Sequence, residues 1–297
     1  TNNINVYIES QNITDDNDPS HTNVIFGGNS FSSENEINDF KHLKVVEHHK
    51  GFETFKFIKC TCIKEDENTI EVPERFKPLS TFNYQCSSIE SCKPGDNDEY
   101  VEHERISEPT ENLILRRTKF TNLKDTTVEG GAILIKSSKF DCLIEECLFE
   151  ECSSKKGGAL FIYYANAKYF NLTIIDTTFN KCESISDGGA IYIENTQPLY
   201  HSMIIVRCIF KLNKAKNGGG INGKIRDQLN IEGCTFENNE ASNIGSSLYL
   251  ILGYNNIKDQ GEEHDSFNIT DNIFKFTPTP TNNINVYIES QNITDDN

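Results

Sequence analysis

Tryptophan is absent from this 297-residue chain, methionine occurs once and proline eight times. No stretch of eighteen apolar residues occurs, so the sequence holds no membrane-spanning helix. Basic charge is scarce: 28 Lys and Arg stand against 45 Asp and Glu, a net charge of −17. Such a surface repels a phosphate backbone, which excludes nucleic acid as a partner. Also missing are a phosphate-binding loop, a dinucleotide fingerprint and a nucleophile elbow. The usual motifs for nucleotide hydrolysis, hydride transfer and serine esterase chemistry are therefore not offered.

What is present is repetition. Residues 281–297 copy residues 1–17 (TNNINVYIESQNITDDN), an offset of 280. The simplest reading is one unit of a tandem array, cut slightly longer than its period. A shorter repeat lies within it. Gly130-Gly131-Ala132-Ile133, Gly157-Gly158-Ala159-Leu160, Gly188-Gly189-Ala190-Ile191, Gly218-Gly219-Gly220-Ile221 and the decayed Gly245-Ser246-Ser247-Leu248 start 27, 31, 30 and 27 residues apart. A period near thirty is the mark of a solenoid.

Each Gly motif follows a phenylalanine, and the residues before that phenylalanine fall into columns. In LNIEGCTF, residues 229–236, Leu229 and Ile231 alternate inward, Glu232 and Gly233 make a corner, and Cys234 and Phe236 alternate inward again. The anchor column reads Phe31, Cys62, Ile89, Phe120, Phe149, Phe179, Phe210, Phe236, Phe274. Five residues earlier stand Phe26, Phe57, Tyr84, Leu115, Ile144, Ile174, Ile205, Ile231 and Ile269. Two residues before the anchor every position is small or Asn: Asn29, Cys60, Ser87, Thr118, Cys147, Thr177, Cys208, Cys234, Asn272. Equivalent residues that recur with a local period of two stack on one another in a parallel β-helix.

The expected fold is all-β: a parallel β-helix solenoid, three strands per coil, about nine coils per 280-residue unit, with residues 1–297 a single unit. The Gly pair opens the third strand and provides a positive-φ corner. In the early coils that strand is placed near Leu43–Val45, Ile70–Val72 and Tyr100–Ile106, and residues 91–108 are expected to hold a looped-out insertion. Val286-Tyr287-Ile288-Glu289 matches Ile191-Tyr192-Ile193-Glu194, so residues 281–297 read as the third strand of the coil begun at Phe267.

The GGAI, GGAL and GGGI segments, alternating with Phe210-Lys-Leu-Asn213 and Phe236-Glu-Asn-Asn239, resemble the GGA(I/L/V) and FxxN repeats of polymorphic outer-membrane (Pmp-like) proteins. The clear motifs run from about Phe120 to Leu250; Phe149-Glu-Glu-Cys152 and Phe179-Asn-Lys-Cys182 carry Cys in place of Asn. The resemblance implies a right-handed helix of the pectin-lyase-like class and a surface-exposed, non-catalytic adhesin shaft.

No catalytic, cofactor-binding or metal-binding residue is assigned. Ten Cys invite a disulfide scaffold, but Cys208 and Cys234 share one column and Cys152 and Cys182 another. Stacked parallel side chains are poorly aimed for a disulfide, so a buried column of reduced thiols is the expectation. Asn213 and Asn239 share a column suited to an axial hydrogen-bond ladder. Asp15, Asp16 and Asp18, and the Asp96–Glu99 run, carry oxygen ligands for Ca²⁺ but match no calcium-loop pattern and read as solvated turns. Asn12, Asn171, Asn268 and Asn292 open glycosylation sequons. Many β-helices cleave polysaccharides with clustered carboxylates; two carboxylates could meet here by stacking, and Glu145 with Asp176 is such a pair, though any acidic solenoid has some. The favoured reading is an extracellular or cell-surface filament or stalk whose partners are neighbouring copies, end to end. An adhesin segment binding a receptor or glycan through loops is the alternative, and a polysaccharide lyase or hydrolase the third.

Overall fold

A computed structural model describes residues 5–11, 23–27, 29–33, 44–47, 54–57, 61–62, 101–109, 112–136, 141–164, 170–195, 201–225, 228–254, 266–276 and 284–292. Among these residues every regular element is a strand, and the chain forms a parallel β-solenoid. Four sheets run along it.

Sheet A stacks Ile106–Ser107, Ile133–Lys136, Leu160–Tyr164, Ile191–Asn195, Ile221–Ile225, Leu248–Tyr254, Ile284–Asn292, Asn5–Gln11 and Lys44–Glu47, in that order. Sheet B stacks Leu113–Arg116, Cys142–Glu145, Phe170–Ile175, His201–Val206, Gln228–Glu232, Ser266–Thr270, Asn23–Gly27 and Thr54–Phe57. Sheet C runs from Val101–Glu102 through Thr118–Thr121, Leu148–Glu150, Thr178–Asn180, Ile209–Lys211, Thr235–Glu237 and Ile273–Phe276 to Ser30–Ser33 and Thr61–Cys62. Sheet D is short: Lys124–Asp125, Ser153–Ser154, Glu183–Ser184, Lys214–Asn217 and Glu240–Ile244. Over the four turns between the first and last strands of sheet D, each coil visits all four sheets rather than the expected three. The extra strand is two residues long in its first three appearances, too short to show an alternating pattern.

The columns stack as the sequence implies. Leu115, Ile144, Ile174, Ile205, Ile231 and Ile269 are successive Cα partners in sheet B. Phe120, Phe149, Phe179, Phe210, Phe236 and Phe274 form one aromatic column in sheet C, with ring centroids 4.8–5.0 Å apart. All six are fully buried, as are the inward Ile133, Leu160, Ile191, Ile221, Leu248 and Val286 of sheet A. Burying a Phe side chain contributes about 1.5–3 kcal/mol, so these columns are the principal source of stability.

Three expectations are corrected. The coils do not follow chain order throughout: Ser30–Ser33 pairs with Ile273–Phe276 and Asn23–Gly27 with Ser266–Thr270, so the N-terminal strands lie beyond the C-terminal coil. Stacking order follows residue number modulo the 280-residue offset, which sequence columns alone do not distinguish from chain order. Second, residues 101–108 are not looped out; Val101–Glu102 pairs in sheet C and Ile106–Ser107 in sheet A. Third, the ring before Phe120 in its column is His103, with centroids 5.5 Å apart, not Ile89. Ile70–Val72, Phe82–Ile89 and residues 91–100 lie outside the described residues. Lys44–Glu47 is a sheet A strand, close to the segment expected at Leu43–Val45.

Candidate functional site

The most structured chemistry in the chain sits at its corners. Among the described residues, six passages from sheet B to sheet C turn through a left-handed residue: Arg117, Glu146, Asp176, Arg207, Gly233 and Asp271 have φ of 47–62°. The next residue points inward, where its own N–H is buried and faces the neighbouring coil. That amide finds a side chain one coil on: Cys147 N–H donates to Thr177 Oγ1 (3.2 Å), Cys234 N–H to Asn272 Oδ1 (2.8 Å) and Asn272 N–H to Asn29 Oδ1 (2.9 Å). The same side chains donate to backbone carbonyls, as Thr177 Oγ1 does to Ile175 (2.9 Å) and Asn272 Nδ2 to Ile231 (3.0 Å). Such a position requires a small group that both donates and accepts, which explains the Thr, Cys and Asn there.

The passage from C to D repeats the device. Asn122, Glu151, Lys181, Leu212 and Asn238 are left-handed, and Cys152, Cys182, Asn213 and Asn239 follow the last four inward. Cys182 N–H donates to Asn213 Oδ1 (2.8 Å), Asn213 N–H to Asn239 Oδ1 (3.0 Å), and Asn239 Nδ2 to the Phe210 carbonyl (2.8 Å). The Asn ladder expected at residues 213 and 239 is thus present, continued by Cys.

All six described cysteines are buried and free. Cys208 N–H donates to Cys234 Sγ (3.4 Å), and Cys208 Sγ donates to the Val206 carbonyl (3.3 Å). Burial pushes the Cys142, Cys182 and Cys208 thiols far above the ordinary thiol range and Cys147 to about 12. Thiols held protonated are poor nucleophiles and poor metal ligands. They serve here as hydrogen-bonding core groups.

The outward carboxylates are paired between coils. Glu145 meets Arg116 (2.8 Å), Glu146 meets Arg117 (2.7 Å), and Asp176 accepts two bonds from Arg207 (2.6 and 2.7 Å). Glu145 has Ile175, not Asp176, as its Cα partner, so the pair suggested for glycan cleavage does not stack. Among the described residues no group of three or more His, Cys, Asp or Glu converges as a metal site. Asp15, Asp16, Asp18 and Asp96–Glu99 lie outside them. Asn171 is exposed and bonds Asp141 through its amide (3.1 Å), while Asn268 is half-buried. Among the described residues no helix is long and apolar enough to cross a membrane.

The outer face of sheet A carries a row of rings and apolar side chains. Leu134, Phe161 and Tyr192 form an outer cluster, and Phe161 stacks on Tyr192 at 5.2 Å. Lys156 Nζ lies 4.5 Å from the Tyr192 ring centre, and Tyr192 Oη donates to Glu194 (2.8 Å). Asn222 interrupts the column; Tyr249 and Tyr287 resume it, stacked at 5.2 Å and half-buried.

The remaining feature is the end of the stack. Residues 6–11 pair one to one with residues 286–291, each with its own copy: Val6 with Val286, Tyr7 with Tyr287, Glu9 with Glu289. The neighbouring strands step differently. In sheets B and C, residues 23–27 and 30–33 sit directly on residues 266–270 and 273–276. They complete the coil that Ile284–Asn292 begins. Asn5–Gln11 adds one more sheet A strand above that level, and Lys44–Glu47 is displaced to a further level. Without Asn5–Gln11 the three sheets would advance in step. Asn29 adds a polar rung, donating through Nδ2 to the Ile269 carbonyl (2.9 Å). At the opposite end Arg105, in the coil that carries Val101–Glu102 and Ile106–Ser107, donates to the carbonyls of Gly130 (2.9 Å) and Glu129 (2.8 Å) in the next coil.

No family model, curated protein or solved structure matches this chain. The similarity to Pmp-like repeats therefore rests on the Gly and Phe motifs alone, while the solenoid rests on the four parallel sheets.

Proposed function

We propose that the chain is a structural shaft unit of an extracellular or cell-surface filament or stalk, built from copies stacked end to end. The observation that carries this reading is the seating of residues 23–33 on residues 266–276, with matched columns and one polar ladder running through the junction. In a tandem array a single copy of the duplicated strand would serve both units. The next copy's residues 23–33 would then take the seat that this chain's own residues fill here. A solenoid end exposes unpaired strand edges, and in an array each unit covers its neighbour's. The winding is right-handed, as strand–crossover–parallel-strand connections are. Each unit adds about nine coils, or roughly 43 Å at about 4.8 Å per coil. The proposed role is non-enzymatic; the ion pairs that Glu145 and Asp176 make with Arg116 and Arg207 support that reading.

A polypeptide of four successive 280-residue units is the direct test. Electron microscopy should show a continuous rod with an axial repeat of about 43 Å. Separate beads joined by flexible links would refute it. A second reading is favoured by the half-buried Tyr249 and Tyr287 on the outer face of sheet A, a flat surface on which a sugar ring stacks. Binding on a glycan array, abolished by Tyr249→Ala, would support an adhesin role.

A further inference from the structure

We infer that the end formed by residues 266–276 and 284–292 accepts the N-terminal segment of a second copy of this chain, so that separate copies join without a covalent link. This rests on the stacking reading and adds to it an acceptor surface, a donor segment and a route to assembly. The acceptor is defined by backbone edges and by Asn272. Asn272 is fully buried, and both its N–H and its Nδ2 donate to Asn29 Oδ1 (2.9 and 3.0 Å). Removing the donor leaves a buried amide without that acceptor, which penalises an open end.

The donor is residues 23–33, and nothing in the junction identifies which chain supplies it. The seat is made by parallel backbone pairing and by an Asn29–Asn272 contact that any copy reproduces. Within one chain the closure carries two costs. Asn5–Gln11 sits a level above the coil that Asn23–Gly27 completes, so the path steps back by one level and later forward by two. Thr61–Cys62 and Val101–Glu102 also occupy opposite edges of sheet C, eight strand steps or about 38 Å apart. Closing the segment onto its own chain ties these edges together and costs loop entropy. Donation to a second copy removes the second cost and relays the open end outward. The closed form predominates in dilution and the joined form at high concentration, as in domain-swapped assemblies.

Site-directed cross-linking of full-length chains tests this. Ser32 and Lys275 are Cα partners across the junction. One preparation carries Ser32→Cys, a second Lys275→Cys and a third both, and each is treated with a short bis-maleimide. Circular dichroism confirms folding, and the unmodified chain measures background from native thiols. The double variant should link within one chain when dilute. The two single variants, mixed at high concentration, should give a covalent dimer that disappears on dilution. Adding Asn29→Ala to the Ser32→Cys chain should lower the dimer yield roughly tenfold. Intrachain linkage without any mixed dimer at high concentration would overturn the exchange but leave the stacking reading intact. No linkage in the double variant would overturn both.

Discussion

Each coil turns at corners of two kinds. The B–C and C–D corners are closed by side chains: a left-handed residue is followed by an inward Thr, Cys or Asn that bonds the next coil. The corner into sheet A is closed by the absence of side chains. Gly157, Gly188 and Gly218 have φ of 63–68°, and the following Gly158 and Gly189 lie against the next coil's backbone. Gly158 N–H donates to the Gly188 carbonyl and Gly189 N–H to the Gly218 carbonyl, both at 3.0 Å. Where two backbones meet directly, glycine is required; where a gap of one small side chain is left, that gap becomes a polar ladder. The first kind of corner tolerates three residue types and the second almost none.

Four measurements would break or sharpen that contrast. The largest effect is expected at the glycine corner. A side chain on Gly158 runs into the Gly189 carbonyl oxygen and the backbone of Glu183, so Gly158→Val should cost more than about 4 kcal/mol and abolish cooperative unfolding near room temperature. A normal denaturant midpoint for this variant would show that the coils can separate locally.

Alkali should test the ladders next, because they hold buried cysteines. Burial raises the Cys147 and Cys208 thiols above their ordinary value of 9.0; Cys182 is raised as well, but its hydrogen bond lowers the Cys152 thiol, so the two members of that pair act in opposite directions. A raised acid binds its proton more tightly when folded, so its contribution is complete below pH 9 and is lost as pH rises towards and through the folded value. Each such thiol should remove up to about 1.4 kcal/mol per pH unit above pH 9. Urea midpoints measured between pH 7 and 11 should be flat and then fall. Cys208→Thr, the residue type that its column already uses at Thr177, should reduce the slope.

Removing one ladder rung has a smaller effect. Asn213→Ala leaves the Cys182 N–H without its acceptor and should cost about 1–3 kcal/mol, read as a lower melting temperature. Asn213→Ser should recover part of the loss, whereas a purely steric role would make the two variants equal. The outer ion pairs come last. Arg207→Ala removes two bonds to Asp176 on a partly exposed surface and should cost about 0–1 kcal/mol, less still in high salt.

The inner columns were readable from sequence because burial enforces them. A residue at position 144, 174, 205 or 231 meets the same kind of neighbour above and below, so Ile recurs at all four. The glycine corners were readable for the same reason, since a Cβ there meets backbone. Other features left weaker traces. Sheet D has two-residue strands such as Lys124–Asp125, both exposed, and carries no alternation to read. His103 beneath Phe120 was missed because the segment between them is shorter than the thirty-residue spacing elsewhere. The seat of residues 23–33 was missed because a coil at Phe31 fits the Phe column equally well before Phe120 or after Phe274. The Thr, Cys and Asn of the B–C corner were visible as a column, but their shared role appeared only when the donors and acceptors were located.

In all four sheets the backbone hydrogen bonds between neighbouring coils point along the axis, as they do between the strands of any ladder. Pulling on the two ends therefore loads these bonds head-on instead of in shear. The terminal coil carries the force alone until it peels, after which the load passes to the next. A coil of about thirty residues releases roughly 100 Å of slack. A solenoid loaded in this way yields one coil at a time and keeps the length that has not yet peeled.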